Sequence, residues 1–86
     1  MRHEKKILPV HFEPILDGRK TYEVRLADWA CSPGDVLVLR EWDPMTKTYT
    51  GRAIEKVVTY VGRTKDAAHW PQEDIDQHGF QIIGFH

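Results

Sequence analysis

The 86-residue sequence predicts an α+β fold that is mostly β: a small, largely antiparallel barrel with one main helix and at most one further short helix. Three observations lead there. The length supports one core, so residues 1–86 read as a single domain. Five stretches carry strand patterning, and one carries the i, i+3, i+4 spacing of an amphipathic helix. A single helix cannot cover five strands laid flat, and a bare sheet edge invites aggregation, so the sheet is expected to curl with the helix closing one end.

The elements follow in order. His3 to Leu8 (HEKKIL) reads as the first strand. Over residues 10–18, Phe12, Ile15 and Leu16 fall on one helical face, Pro14 fits an early turn, and Gly18 stands where a C-cap belongs. Thr21 to Leu26 alternates, with Tyr22, Val24 and Leu26 on one side and Thr21, Glu23 and Arg25 on the other. Ser32-Pro33-Gly34-Asp35 signals a turn that launches Val36 to Trp42, whose apolar start suits a strand covered on both faces. A hairpin loop over Asp43–Thr48 leads into a long strand from Tyr49 to Val61, in which Gly51 marks a bulge. Residues 62–78 are polar, with at most a short helix after Pro71, and residues 79–86 form the last strand. The expected core contains Phe12, Tyr22, Val24, Val36, Val38, Val58 and Ile82.

Composition narrows the function classes. Hydrophobic residues make up 41% and charged residues 29%, a globular balance. The longest apolar run, Val36 to Leu39, cannot span a bilayer. Met1–Lys6 leads into no secretory core, because the apolar run after it stops at Pro9. Cys31 is alone, so no internal disulfide forms and a cytoplasmic setting is expected. Nothing in its neighbourhood activates the thiol, and it reads as a small residue at a turn. Net charge is −1, with seven basic against eight acidic residues in 1–43 and five against five in 44–86. A protein that grips duplex DNA through phosphates carries a basic surplus, so generic duplex binding is not expected.

The chemistry concentrates in "DGRKTYEVR", residues 17–25. Gly18-Arg19-Lys20-Thr21-Tyr22-Glu23-Val24-Arg25 has the form G-x-K-x-x-E-x-R. With "ILDGRKTYEVR", then "PGDVLVLRE", "REWDPMTKTYTGRAI" and a terminal strand, the chain resembles the ASCH domain family, in particular its short bacterial and phage branch. The resemblance covers residues 3–63 well. It implies a PUA-like barrel with a cleft beside the helix, lined by the motif. It also implies single-stranded RNA or a modified nucleobase or nucleoside as the ligand class. Some relatives of that kind are amidohydrolases acting on 4-acetylcytidine, and others are described as ribonucleases. Lys20 matches the catalytic Lys of the amidohydrolases, but Glu23 stands where they carry Thr.

The residues support a pocket on their own terms. Glu23 and Arg25 share a strand face, and a carboxylate beside a guanidinium offers acceptors and a fork of donors to the edge of a base or an amide. Lys20, at the helix–strand junction, can reach over a cleft; beside a carboxylate it serves as a charged binding group rather than a reactive amine. Arg19 and Thr21 flank it. Trp29, in the loop leaving the motif strand, can wall the cleft, and Trp70 can act as a lid, although packing is the better single reading of each Trp. The other reading of Glu23 and Arg25 is a surface ion pair of little energetic worth. His3, His11, His69, His78 and His86 show no short ligand spacing, so no metal is expected and any zinc site would join distant segments. No cofactor motif is present. The sequence therefore points to a monomer that binds single-stranded RNA or a nucleoside-like small molecule. A hydrolase working through Lys20 and Glu23, or a non-catalytic interaction scaffold, are the other readings.

Overall fold

One strand sets the architecture. In the computed structural model, which describes residues 1–64, 71–77 and 79–86, β4 (Thr48–Arg63) is long enough to serve two half-sheets. It follows β1 (Arg2–Ile7), α1 (Pro9–Leu16), β2 (Tyr22–Leu26) and β3 (Val36–Asp43), and precedes α2 (Gln72–Ile75) and β5 (Phe80–Phe85). The first part of β4 pairs antiparallel with β3, and the second part with β5. β1 adds to β3 in parallel, and β2 adds to β5 antiparallel, giving the order β1-β3-β4-β5-β2. The result is a mostly β, half-barrel-like curled sheet with one main helix, as the sequence predicts. The parallel β1–β3 pair departs from the antiparallel pattern.

Two register shifts in β4 help bend it. One lies opposite Arg40–Trp42 and contains Gly51, whose φ of +94° is the left-handed conformation that glycine adopts without strain. The other lies between Val58 and Tyr60. α1 begins with Pro9 at its first turn and ends at Asp17, after which Gly18 takes a φ of +86° and turns the chain toward β2. Phe12 and Ile15 drop from the helix into a core made with Ile7, Cys31, Leu37, Leu39, Val58, Ile83 and Phe85. Leu16, expected on the same helical face, is exposed.

The largest correction concerns β2. Tyr22 and Val24 are each 48% exposed, and Ile82, which lies beside Val24 across the sheet, is also exposed. The opposite parity turns inward: Glu23 is only 5% exposed and pairs in register with fully buried Ile83. Val36, also expected in the core, is half-buried, whereas Phe12, Val38 and Val58 are buried as expected. The inversion has a physical cause. β2 is an edge strand, and its concave side faces a hollow rather than packed core, so polar groups can turn inward if each finds a partner.

The bulge at Gly51 builds a second polar cluster around one buried carboxylate. It brings both Thr50 and Arg52 onto the carboxylate of buried Glu41. Thr50 Oγ1 donates to Glu41 Oε1 (2.7 Å), while Arg52 donates from Nε to Oε1 and from Nη2 to Oε2 (2.8 Å each). Arg52 also reaches Glu13 on α1 and lies over the Phe12 ring. The Arg52 guanidinium holds the Glu41 carboxyl below its usual range, against the opposing effect of burial. This cluster fastens α1 to the β3–β4 hairpin.

At the other end, Asp35 pins the start of β1. His3 Nε2 donates to its Oδ2 (2.8 Å), the Ser32 N–H donates to the same oxygen (3.1 Å), and the terminal ammonium of Met1 reaches Oδ1 (3.1 Å). These bonds, His3 first, hold the Asp35 carboxyl down at about 2, from 3.8. A depressed carboxyl contributes stability above its unfolded value and loses it as pH falls toward its folded one. The melting temperature is therefore expected to drop between pH 3.8 and about 2, and Asp35→Asn to flatten that acid limb. Melting curves across that range check it; an unchanged slope in the variant would show that the contacts carry no stability.

Candidate functional site

The strand order leaves β1 and β2 as the two edges of the curled sheet. They run antiparallel to each other, yet among the described residues no backbone ladder joins them. The barrel stays open along this seam. A hollow of about 460 Å³ occupies it, lined from one side by Lys6, Ile7, Leu8 and His11, and from the other by Lys20 and Tyr22–Arg25. Its size falls in the range of small-molecule sites, roughly 300–1,000 Å³.

Glu23 lies at the centre of the polar wall. Arg25 Nε donates to its Oε2 (2.8 Å), and Lys20 Nζ stands 3.8 Å from Oε1. Arg25 Nη2 donates to the Lys6 carbonyl and so bridges the two sheet edges. That carbonyl belongs to an edge strand and has no ladder partner on this side, so the guanidinium replaces a missing strand. Lys20 is placed by the helix end: its backbone N–H donates to the Pro14 carbonyl (2.9 Å), which directs the side chain over the hollow. There Nζ donates to His11 Nδ1 (3.4 Å) and lies 5.2 Å from the centre of the Tyr22 ring. Both cations are mostly sheltered, so the Glu23–Arg25 pair is not an exposed surface ion pair. The site thus offers one buried acceptor group between two cations, beside an apolar wall of Ile7 and Leu8, with the outward-facing Tyr22 and Val24 at its rim.

A family model described as "Domain of unknown function (DUF3850)" matches residues 2–75, from β1 through α2. The chain belongs to this family. An "uncharacterized 12.9 kDa protein in GpA 3'region" of Escherichia phage P2 is 33% identical over 82 residues, covering 95% of this chain and 69% of the phage protein. The match to the DUF3850 model contains the whole G-x-K-x-x-E-x-R segment and both edges of the seam, and ends before β5.

The remaining residues singled out in the sequence fall elsewhere. Arg19 is exposed and folds back onto Asp17, with Nε 2.9 Å from Oδ2. Thr21 is exposed, and its carbonyl accepts from the Phe85 N–H. Neither lines the hollow. Trp29 lines a smaller hollow of about 340 Å³ further along the seam, with Lys5, Val24, Arg25, Leu26 and Asp28. Lys5 Nζ lies 3.9 Å from the Trp29 ring centre, a cation–π contact that occupies one face of the indole. Trp42 belongs to another cluster, with Lys6 Nζ over its ring and Tyr49 edge-on. His69, Trp70 and His78 lie outside the described residues.

Sequence reading missed His11 and the β1 segment 6–8. His11 sits one position before the core residue Phe12 and faces the seam because its neighbour faces the core. The hydrophobic stripe of α1 therefore held that signal. Lys6 enters through its backbone carbonyl, which side-chain chemistry does not reveal. No helix of the described residues is long and apolar enough to cross a membrane.

Proposed function

We propose that the seam hollow binds a nucleobase, presented as a modified nucleoside or as single-stranded RNA, within a PUA-like, ASCH-type scaffold. The observation that carries this reading is the convergence of Lys20, Glu23 and Arg25 on one concave hollow between the two sheet edges. Glu23 accepts from a base N–H or amino group, while Lys20 and Arg25 donate to ring nitrogens or carbonyl oxygens. The buried carboxylate also argues against phosphate as the group that enters deepest, since it would sit against another anion. A base inward, with sugar and phosphate toward solvent, satisfies both constraints.

The reading is tested by calorimetric binding of the common nucleosides, 4-acetylcytidine, short single-stranded RNAs and duplex DNA over a salt series. Saturable binding of a nucleoside or RNA, with no detectable duplex binding at physiological salt, is expected. Tight, sequence-independent duplex binding, or no binding to any nucleoside or RNA, would remove the reading. The hydrolase alternative rests on the 3.8 Å approach of Lys20 to Glu23. Because Lys20 is engaged with Glu23 and Glu23 replaces Thr, chromatography after incubation should show 4-acetylcytidine unconsumed.

A further inference from the structure

Away from the seam, three donors of different chemistry meet where β1 begins. His3 comes from β1, Cys31 from the loop after β2, and Asp35 from the turn that launches β3. Their ligand atoms all lie within 4.8 Å of one another. The group is sheltered: Cys31 is 2% exposed, and the His3 and Asp35 side chains are mostly buried. We propose that His3 Nε2, Cys31 Sγ and one Asp35 carboxylate oxygen form a zinc site that staples the start of β1 to the loop before β3.

The donor set is the first argument. Imidazole, thiolate and carboxylate together suit Zn²⁺, which binds them at roughly 2.0–2.3 Å in a tetrahedron. Donors around such a centre stand roughly 3.3–3.8 Å apart. The present spacing needs small adjustments to reach this. His3 and Asp35, now hydrogen-bonded at 2.8 Å, separate by about half an ångström, and the widest donor pair closes by about one.

The second argument is that each ligand-bearing segment is already held in place. His3 is fixed in the ladder opposite Leu37, and its ring rests on Trp29 with centroids 5.0 Å apart. The Cys31 carbonyl accepts from Arg63 Nη2 (3.0 Å). The Asp35 turn is clamped to β4 by Gly34 N–H to the Val58 carbonyl and Val58 N–H to the Asp35 carbonyl, 2.8 Å each. Ordering of the donors is thus largely complete before a metal arrives.

The third argument is need. A chain of 86 residues has a modest core, and small domains commonly add a metal or disulfide. This one has a single cysteine and no disulfide to add. On binding, the Cys31 thiol gives its proton to solvent and a sulfur–zinc bond forms. The His3 ring proton moves through solvent from Nε2 to Nδ1, which frees Nε2, so the His3–Asp35 hydrogen bond is exchanged for two bonds to the metal, with a water in the fourth position. Burial and the nearby Asp35 charge push the metal-free thiol up. A divalent cation beside it reverses that balance, so binding weakens as pH falls.

The test is titration of the intact, reduced protein with Co²⁺ as a spectroscopic probe, followed by displacement with Zn²⁺. One equivalent of Co²⁺ should give a thiolate-to-metal charge-transfer band and visible bands of tetrahedral intensity. Zn²⁺ should abolish both and raise the melting temperature. Cys31→Ser should remove the charge-transfer band, and His3→Gln should weaken Zn²⁺ binding roughly tenfold or more. Circular dichroism establishes that both variants are folded; if Cys31→Ser is not, the parent with its thiol alkylated under denaturing conditions and refolded replaces it. Weak octahedral bands in the parent, or a parent spectrum unchanged by loss of the thiol, would overturn the site.

Discussion

Phe12→Ala is expected to remove about 3–5 kcal/mol of stability, the cost of emptying a fully packed aromatic position. Phe12, with Ile15, is one of the two buried residues of α1, in contact with the core on one side and covered by Arg52 on the other. For a chain of 86 residues, total stability is of the order of 4–13 kcal/mol, so the variant sits near the edge of folding. Urea unfolding followed by circular dichroism should show a lower midpoint with little change in slope. The loss also reaches the site, because α1 carries His11 and its end positions Lys20 through the Pro14 carbonyl. A cost under about 1 kcal/mol would mean that the helix is not anchored as described.

Glu23→Ala is expected to cost about 2–4 kcal/mol, because it strands two sheltered cations without their acceptor. Lys20→Ala should cost no more than about 1 kcal/mol, since Arg25 still neutralises Glu23. The contrast separates this arrangement from a surface ion pair, in which both changes are nearly silent. Thermal and urea unfolding of the two variants, measured side by side, decide it. Equal and small losses would place Glu23 in solvent, contrary to the geometry.

These two residues also show what could be read from sequence. Phe12 was legible as core because helical spacing and a closing glycine define α1 without tertiary information. The strands were legible for the same local reason: alternation, turns at Pro33-Gly34, and a glycine within β4. The facing of β2 was not. Its five residues carry an apolar set and a polar set of opposite parity, and a shift of one residue exchanges them. Only the unclosed seam, a property of the whole sheet, decides that Glu23 and Arg25 turn inward. The motif therefore marked three residues that line the hollow, Lys20, Glu23 and Arg25, while the opposite wall at Lys6–Leu8 and His11 depended on which edges meet. The Glu41–Thr50–Arg52 cluster was hidden similarly, because the bulge that aligns its members is visible as a glycine but its register is not.

The central claim is that the seam between β1 and β2 holds a base. Amide chemical-shift mapping tests it most directly, with labelled protein titrated separately with free nucleosides and a short single-stranded RNA. The account predicts the largest shifts at Lys6 to Leu8, at His11, and from Lys20 to Arg25, and their loss in Lys20→Ala. Shifts confined to the exposed convex face at Ile82 and Tyr60, or at the Trp42–Tyr49 cluster, with the seam residues unmoved, would contradict it.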